Sequence, residues 1–410
     1  MAEPPPVTVI GVGADGRPAQ PLPAGTTLVA GGRRQLAAHA PPGVATVAIG
    51  GDLDAAVAAV AAARGPVAVL ASGDPGWFGF VRRLSAALGR RRLVVHPAPS
   101  SVAYVFARLG MAWEDAVVVS AHGRCPRAAV AAALAHPKVA VLTAPDTPPA
   151  ALARTLRAAG CPDRRVVIAA RLGHQRDRAG DGGEQWHDTD LATAAELTTP
   201  DPAVLVLLDP ARPPGPATVV GHTAPPRAWA RPAAAYAHRD GQVTKPAVRA
   251  LALAHLAPGT GRLLWDVGCG SGSVAVEAAL LGAGVVALDR DPDQLARVRE
   301  NASAARVGLG VVAGSAPDAL AGLPDPDAVF VGGGGGALPA VLDAVLDRRP
   351  DRVAIALATV ERTGPVLARL AAAGWPAGAQ LVQVSDLVPL GDGHRLAPQN
   401  PVLLVLGERP

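Results

Sequence analysis

The sequence predicts an α/β fold built as two successive units, and three observations carry that reading. Apolar runs of strand length alternate with alanine-rich helical stretches along most of the 410 residues, a length too great for one ordinary core. A strand, a glycine turn and a helix follow one another without a break in Leu263-Leu264-Trp265-Asp266-Val267-Gly268-Cys269-Gly270-Ser271-Gly272-Ser273. Between Pro210 and Pro232 the chain is crowded with proline, carries Gly215 and Gly221, and has little apolar periodicity, as expected of a linker or crossing segment. The expected division is residues 1–210, a proline-rich linker at 211–232, and residues 233–410.

Composition narrows the function classes. Half the residues are apolar, much of that alanine, and no uninterrupted apolar run approaches the ~18 residues of a membrane helix. Met1–Pro6 shows no secretory pattern, and the three cysteines, Cys125, Cys161 and Cys269, are widely spaced. A cytoplasmic protein without disulfide framework or metal site is expected. Asn301-Ala302-Ser303 matches a glycosylation sequon but falls in a predicted helix, and is set aside. The formal charge of +4 comes with only two lysines, Lys138 and Lys245, and 3% aromatic residues. A stacking platform for nucleic acid is therefore missing, and a small polyanion suits the chain better. A homo-oligomer is compatible with all of this.

In order, strands are expected at Val7–Ile10, Thr27–Ala30, Val44–Ile49, Val67–Ala71 and Leu93–His96, with helices over Leu53–Ala63 and Val102–Leu109. The loop Gly11-Val12-Gly13-Ala14-Asp15-Gly16 matches G-x-G-x-x-G. Arg17-Pro18 and Pro21-Leu22-Pro23 deny it the helix a dinucleotide site needs. Two loops lie at strand ends, where open α/β sheets bind ligands: Ser72-Gly73-Asp74-Pro75 and Pro97-Ala98-Pro99-Ser100-Ser101. Each also has a plainer reading, with Asp74 or Ser100 as a helix cap. Ser120-Ala121-His122-Gly123-Arg124 follows a strand at Ala116–Val119; His122 can equally be a hydrogen-bonded strand-end histidine. Further strands fit Val139–Leu142, Arg165–Ala169 and Ala203–Leu208.

Beyond the linker, Gly241-Gln242-Val243-Thr244-Lys245-Pro246 opens a helix over Ala247–Leu256, with Thr244 as N-cap and Pro246 in the first turn. The glycine turn has the register D-x-G-x-G-x-G from Asp266 to Gly272, and the next strand, Val285–Asp289, ends in an acid. Helix Pro292–Ser303, strand Gly310–Ala313, loop Gly314-Ser315-Ala316-Pro317 and strand Ala328–Val331 follow, the last running into Gly332–Gly336. Helices Ala337–Leu346 and Pro365–Ala373, with strands Val353–Ala358, Gln380–Val384 and Val402–Leu406, complete a seven-stranded sheet.

The D-x-G-x-G-x-G register resembles the first motif of S-adenosylmethionine-dependent methyltransferases, in which Asp289 would face the ribose hydroxyls. The glycine loop, S-G-D-P, P-x-x-S-S and Ser-Ala-His-Gly-Arg, in this order, resemble tetrapyrrole methylases over about Val7 to Leu208, within the branch that acts on precorrin-6Y. The pattern G-x-x-T-K-x-x-V-R from Gly241 to Arg249, and Pro398-Gln399-Asn400-Pro401, also resemble that branch. The resemblance implies a tetrapyrrole methylase fold of two α/β subdomains followed by a Rossmann-like class I methyltransferase. It implies S-adenosylmethionine at Gly73, Asp74, Pro75, Ser100 and Ser101, and again at Thr244, Asp266, Gly268, Cys269, Gly270, Ser271, Gly272, Asp289, Ser315 and Ala316. Ser315 stands where the family usually has an acid. The substrate, a polycarboxylate tetrapyrrole, would lie near Gly11, Gly13, His122, Arg124, Gly332 and Gly333, with Lys245 placing a carboxylate. The implied reaction is methylation of the macrocycle at C5 and C15 with loss of the C12 acetate carboxyl. Other readings are a fusion to an RNA methyltransferase, against which the missing D/N-P-P-Y/F-like loop counts, and a non-catalytic cofactor sensor.

Overall fold

A computed structural model describes residues 5–122, 124–173, 183–212, 229–239, 241, 243–332 and 335–410. The chain forms two compact units. One comprises Met1–Trp113, Ile168–His187 and Pro200–Val204, the other Glu114–Val167, Asp188–Thr199 and Leu205–Pro410. Of the proline-rich linker, residues 213–228 lie outside the described residues.

The first unit begins with β1 (Val7–Val12), β2 (Leu28–Gly31), α1 (Arg33–His39), β3 (Ala45–Ala48), α2 (Leu53–Ala62), β4 (Val67–Ser72), α3 (Val81–Leu88), β5 (Leu93–His96) and α4 (Ser101–Leu109). The strands form a parallel sheet in the order β3-β2-β4-β1-β5. All six residues of β1 are buried, which is why it reads as an unbroken apolar run rather than an alternating one. Asp52 caps α2, its carboxylate accepting from the Ala55 N–H at 2.9 Å, and Ser100 caps α4.

Next come β6 (Val117–Ser120), α5 (Arg127–Ala135), β7 (Lys138–Leu142), α6 (Pro149–Ala158), β8 (Arg165–Ala170), β9 (Gln185–Asp190), α7 (Leu191–Ala194) and β10 (Ala203–Leu208). The strand order is β6-β7-β10-β8-β9. The sequence gives no sign of β9, because Gln-Trp-His-Asp-Thr-Asp is a polar strand at a sheet edge.

The remainder holds α8 (Pro246–Leu256), β11 (Leu263–Val267), α9 (Ser273–Leu280), β12 (Gly284–Asp289), α10 (Pro292–Ala304), β13 (Gly310–Ala313), β14 (Ala328–Val331), α11 (Leu338–Asp347), β15 (Arg352–Leu357), α12 (Thr363–Ala372), β16 (Ala377–Val382), β17 (Ser385–Leu390), β18 (Gly393–Pro398) and β19 (Val402–Glu408). The sheet of seven runs β13-β12-β11-β14-β15-β19-β16, parallel except at β19. One face packs Leu264, Val285, Ala287, Ala328 and Phe330 against Val248, Leu253, Val274 and Val298 of the helices. Two expectations need correction. Lys245, not Thr244, occupies the N-cap of α8, and no side chain caps it, because Pro246 at the first helical position already removes an unpaired N–H. The sequence reading also leaves out the β17–β18 hairpin, whose Leu387, Leu390 and Leu396 are exposed and so mimic no half-buried strand.

Burial separates the two kinds of apolar residue by measurement. Phe330→Ala, at a site 1% exposed, should lower unfolding free energy by about 3–5 kcal/mol. Leu387→Ala, at 69% exposure, should stay within about 0.5 kcal/mol. Urea titration of both variants checks this, and equal losses would contradict the assigned burial.

Candidate active sites

The carboxyl ends of β11, β12, β13 and β14 meet at the glycine turn. Gly268, Gly270 and Gly272 have φ of 68°, 53° and 72°, values that a side chain would strain. The turn is lashed to β12, with the Gly268 and Cys269 N–H groups donating to the Leu288 carbonyl at 2.9 and 3.1 Å. A Cβ on Gly272 would lie 2.9 Å from Val298, so α9 starts in contact with α10. A Cβ on Gly270 would meet nothing within 4 Å, which leaves the outer side of the turn open to a ligand. Asp289 accepts the Gly270 N–H at 2.9 Å and the Asp291 N–H at 3.0 Å, one on each carboxylate oxygen. Gly314 donates to the Asp289 carbonyl at 3.0 Å, which sets the loop of Ser315 and Ala316 alongside, with Ser315 exposed. Gly332 donates to the Val267 carbonyl at 2.9 Å, and a Cβ there would lie 2.8 Å from the Gly268 carbonyl. This is where strand order reverses, from β11 towards β12 on one side and to β14 on the other; open α/β sheets bind ligands at such points.

A segment ahead of α8 is pinned around this turn. Asn301, 4% exposed, donates to the carbonyls of Ser271 at 2.8 Å and Ala237 at 3.0 Å, and accepts the Ala237 N–H at 2.7 Å. Arg239 pairs with Asp291 at 3.3 Å. Arg249, fully buried, pairs with Glu277 at 2.9 Å and donates to the Thr244 and Arg231 carbonyls. The Lys245 ammonium donates to the Asn400 carbonyl, which joins two of the motifs singled out in the sequence. Sequence reasoning quoted Arg249 without a role, set Asn301 aside as a sequon, and gave no sign of Glu277, a lone acid in an apolar helix.

In the first unit, the loops after β1, β4 and β5 converge on Gly11. A Cβ there would lie 2.3 Å from the Gly73 carbonyl and 2.5 Å from the Ala98 nitrogen. Gly73 donates to the Val12 carbonyl at 2.7 Å, and Gly13 to Arg17 at 2.9 Å. Asp74 accepts from Gly76 at 2.8 Å, closing a turn and capping no helix, since α3 begins only at Val81. Pro75 is buried, and Ser100 accepts from Ala103 at 3.1 Å as the cap of α4, which starts at Ser101. His122 and Arg124, in the second unit, are exposed beyond β6. Gly333 lies outside the described residues.

Two family models match, one for tetrapyrrole (corrin/porphyrin) methylases at residues 28–181 and one for a precorrin methyltransferase domain at residues 234–408. A precorrin-6Y C(5,15)-methyltransferase [decarboxylating] of Sinorhizobium sp is 38% identical over 83% of this chain and 82% of its own. The chain belongs to the precorrin-6Y C(5,15)-methyltransferase family. It is an S-adenosylmethionine-dependent, decarboxylating C-methyltransferase of cobalamin biosynthesis. Two Salmonella typhimurium relatives each cover less than half of it. A cobalt-precorrin-6B C(15)-methyltransferase (decarboxylating) is 38% identical over 40% of this chain and 87% of its own. A cobalt-precorrin-7 C(5)-methyltransferase is 35% identical over 42% and 88%.

The residues at the glycine turn fit the cofactor of this methyltransferase family. The open side of Gly270 admits a close approach to the backbone. Asp289 keeps lone pairs free beside its two N–H partners, enough for two hydroxyls. Asp266 is 1% exposed; one oxygen accepts the Ala275 N–H at 2.9 Å and the other, buried, has no hydrogen-bond partner. Burial raises the Asp266 carboxyl to about 7, with the Ala275 N–H opposing and the Asp289 carboxylate adding to the rise. Burial likewise pushes the Cys269 thiol well up, helped by Asp266 and Asp289, so it is no thiolate nucleophile. Among the described residues, no cluster of His, Cys, Asp and Glu could hold a metal.

Because the folded-state pKa of Asp266 lies above the unfolded value of about 3.9, the folded state holds the proton more tightly, and this group's contribution to stability falls as pH rises from about 4 to 7. Asp266→Asn removes that slope. Between pH 5 and pH 8 the variant should gain roughly 2–3 kcal/mol relative to the parent. Urea titrations of both proteins at pH 5, 6.5 and 8 read the difference; a difference constant with pH would contradict a titrating Asp266.

Proposed function

We propose that residues 1–210 methylate C5 of the macrocycle, and that residues 233–410 methylate C15 and remove the carboxyl of the C12 acetate. The observation that carries the second assignment is the convergence of Gly270, Asp289 and Gly332 at the reversal point of the seven-stranded sheet. S-adenosylmethionine, when bound, supplies a methyl group already activated on a sulfonium. Asp289 then holds the ribose, the Gly268–Gly272 backbone takes the polar end, and the loop of Ser315 and Ala316 faces the adenine. Thr244 lies in the segment pinned over this site. In the first unit, the convergence of the Gly73–Pro75 and Ser100–Ser101 loops on Gly11 supports a cofactor site there too, with Gly13 on the substrate side.

Little acid–base chemistry is required of the protein, and alignment and exclusion of water do most of the work. Lys245 spends one N–H on Asn400 and keeps two donors for a substrate carboxylate. Decarboxylation draws electrons into the conjugated ring, so the protein's part is to fix the other carboxylates and leave the departing one in apolar surroundings. A tetrapyrrole is favoured over RNA because both matching family models are of tetrapyrrole or precorrin methylases. Three free cysteines fit a reducing cytoplasm. No helix among the described residues is long and apolar enough to cross a membrane.

Gly270→Val places a branched side chain at φ 53° on the open side of the turn. The expected product is a macrocycle with one added methyl that retains its acetate carboxyl, identified by mass analysis. Doubly methylated, decarboxylated product from folded Gly270→Val protein would refute the assignment.

A further inference from the structure

The seven-stranded sheet lacks a helix of its own at one place. Its strands run β11, β12, β13 outward and then return to β14 and β15. Right-handed crossovers put α9 and α10 on one face and send the β13–β14 connection, α11 and α12 to the other. That connection, residues 314–327, holds only the three-residue turn Asp318–Leu320. The second face of β11 and β12 would be bare there, yet Trp265, Val286 and Leu288 are 1%, 0% and 2% exposed.

Trp265 meets the β13–β14 connection, its indole N–H donating to the Pro324 carbonyl at 3.1 Å, and α5, from the other side of the proline-rich stretch, packs on the same two strands. This helix also packs on β6 and β7. Its residues Ala129–Leu134 are six in a row at 2% exposure or less, so every side of the helix is covered. The fit depends on glycine: a Cβ on Gly284 would lie 2.4 Å from the Ala131 Cα, and one on Gly310 would lie 1.9 Å from the Ala159 carbonyl oxygen. The Val311 N–H donates to the Gly160 carbonyl at 3.1 Å, so the open edge of β13 is closed by the end of α6. Charge fixes both ends. Arg127 pairs with Asp327 at 2.6 Å, and Asp327 also accepts the Leu263 N–H at 2.7 Å. Arg212 donates to the Ala135 carbonyl at 2.9 Å and to Asp209 at 2.6 Å.

We propose that the β11–β12–β13 face is a docking surface for α5 that holds the seven-stranded sheet to the preceding part of the chain independently of the covalent connection through residues 213–228. The occupant is α5 of the same chain, an alanine-rich helix led by an arginine, and its small side chains match the glycine notches of the sheet.

The test severs the connection in the full-length protein, with a specific protease site placed between Pro213 and Ala228 and cleavage confirmed under denaturing conditions. Under native conditions at micromolar protein the two fragments should co-elute in one-to-one ratio. Separation of the parent fragments on cutting would overturn the proposal. Gly284→Val forces the helix off the sheet and should weaken association of the cut fragments by about tenfold or more. Should that variant not fold, Arg127→Glu leaves the apolar packing untouched and sets a carboxylate against Asp327, with weaker association again expected. Cut Arg127→Glu or Gly284→Val protein that holds together as tightly as the parent would show that α5 is not what joins the pieces.

Discussion

The buried carboxylate of Glu277 is the constraint on which the C-terminal, seven-stranded part of the chain depends. It sits at 0% exposure on α9, directly behind the glycine turn, and an isolated charge cannot remain there. Its two oxygens receive the Ala230 and Arg231 N–H groups at 2.9 Å, the Tyr236 hydroxyl at 2.8 Å and the Arg249 guanidinium at 2.9 Å. Burial, with Glu277 adding to it, drives the Tyr236 phenol up, so it stays a donor. Arg249 then passes the constraint to Thr244, next to Lys245. One acid thereby fixes the entering chain, the start of α8 and the helix that carries the turn. Breaking such a pair from one side costs about 3–5 kcal/mol, because the other charge is left buried alone.

The two glycine clusters use the residue differently. At Gly268, Gly270 and Gly272 the backbone itself needs positive φ, and one of the three opens outward. Gly11 has no positive φ; it is glycine because two neighbouring loops pass within 2.5 Å of where its side chain would be. A spacing pattern reports the first kind of glycine well and the second poorly. That is why Gly11-Val12-Gly13 looks like a dinucleotide fingerprint while acting as a packing notch at a strand end.

Much of the fold was legible in the sequence, and what was not has physical causes. Ala203–Leu208 and Ala328–Val331 are found at the expected residues because fully buried strands are short apolar runs between turn signals, and the edge strands Leu93–His96 and Gly310–Ala313, only partly buried, carry the same apolar run. Helix α5 carries no such signal, since Arg127–Ala135 is apolar on all sides and pattern alone cannot say that two sheets share it. The glycine turn and Asp289 were legible as a candidate site because their chemistry is local. The clamp of Asn301 on Ser271 and Ala237, and the meeting of Lys245 with Asn400, join residues far apart in sequence, so only the fold displays them.

The central claim is that one chain holds two separate cofactor sites. Amide hydrogen exchange, compared with and without S-adenosylhomocysteine, tests it most directly. Slower exchange is expected in two distinct places, the loops at Gly73–Trp77 and Ala98–Ala103 and the turn at Gly268–Ser273 with Asp289–Asp291. Protection at only one of the two, at saturating ligand, would contradict the account.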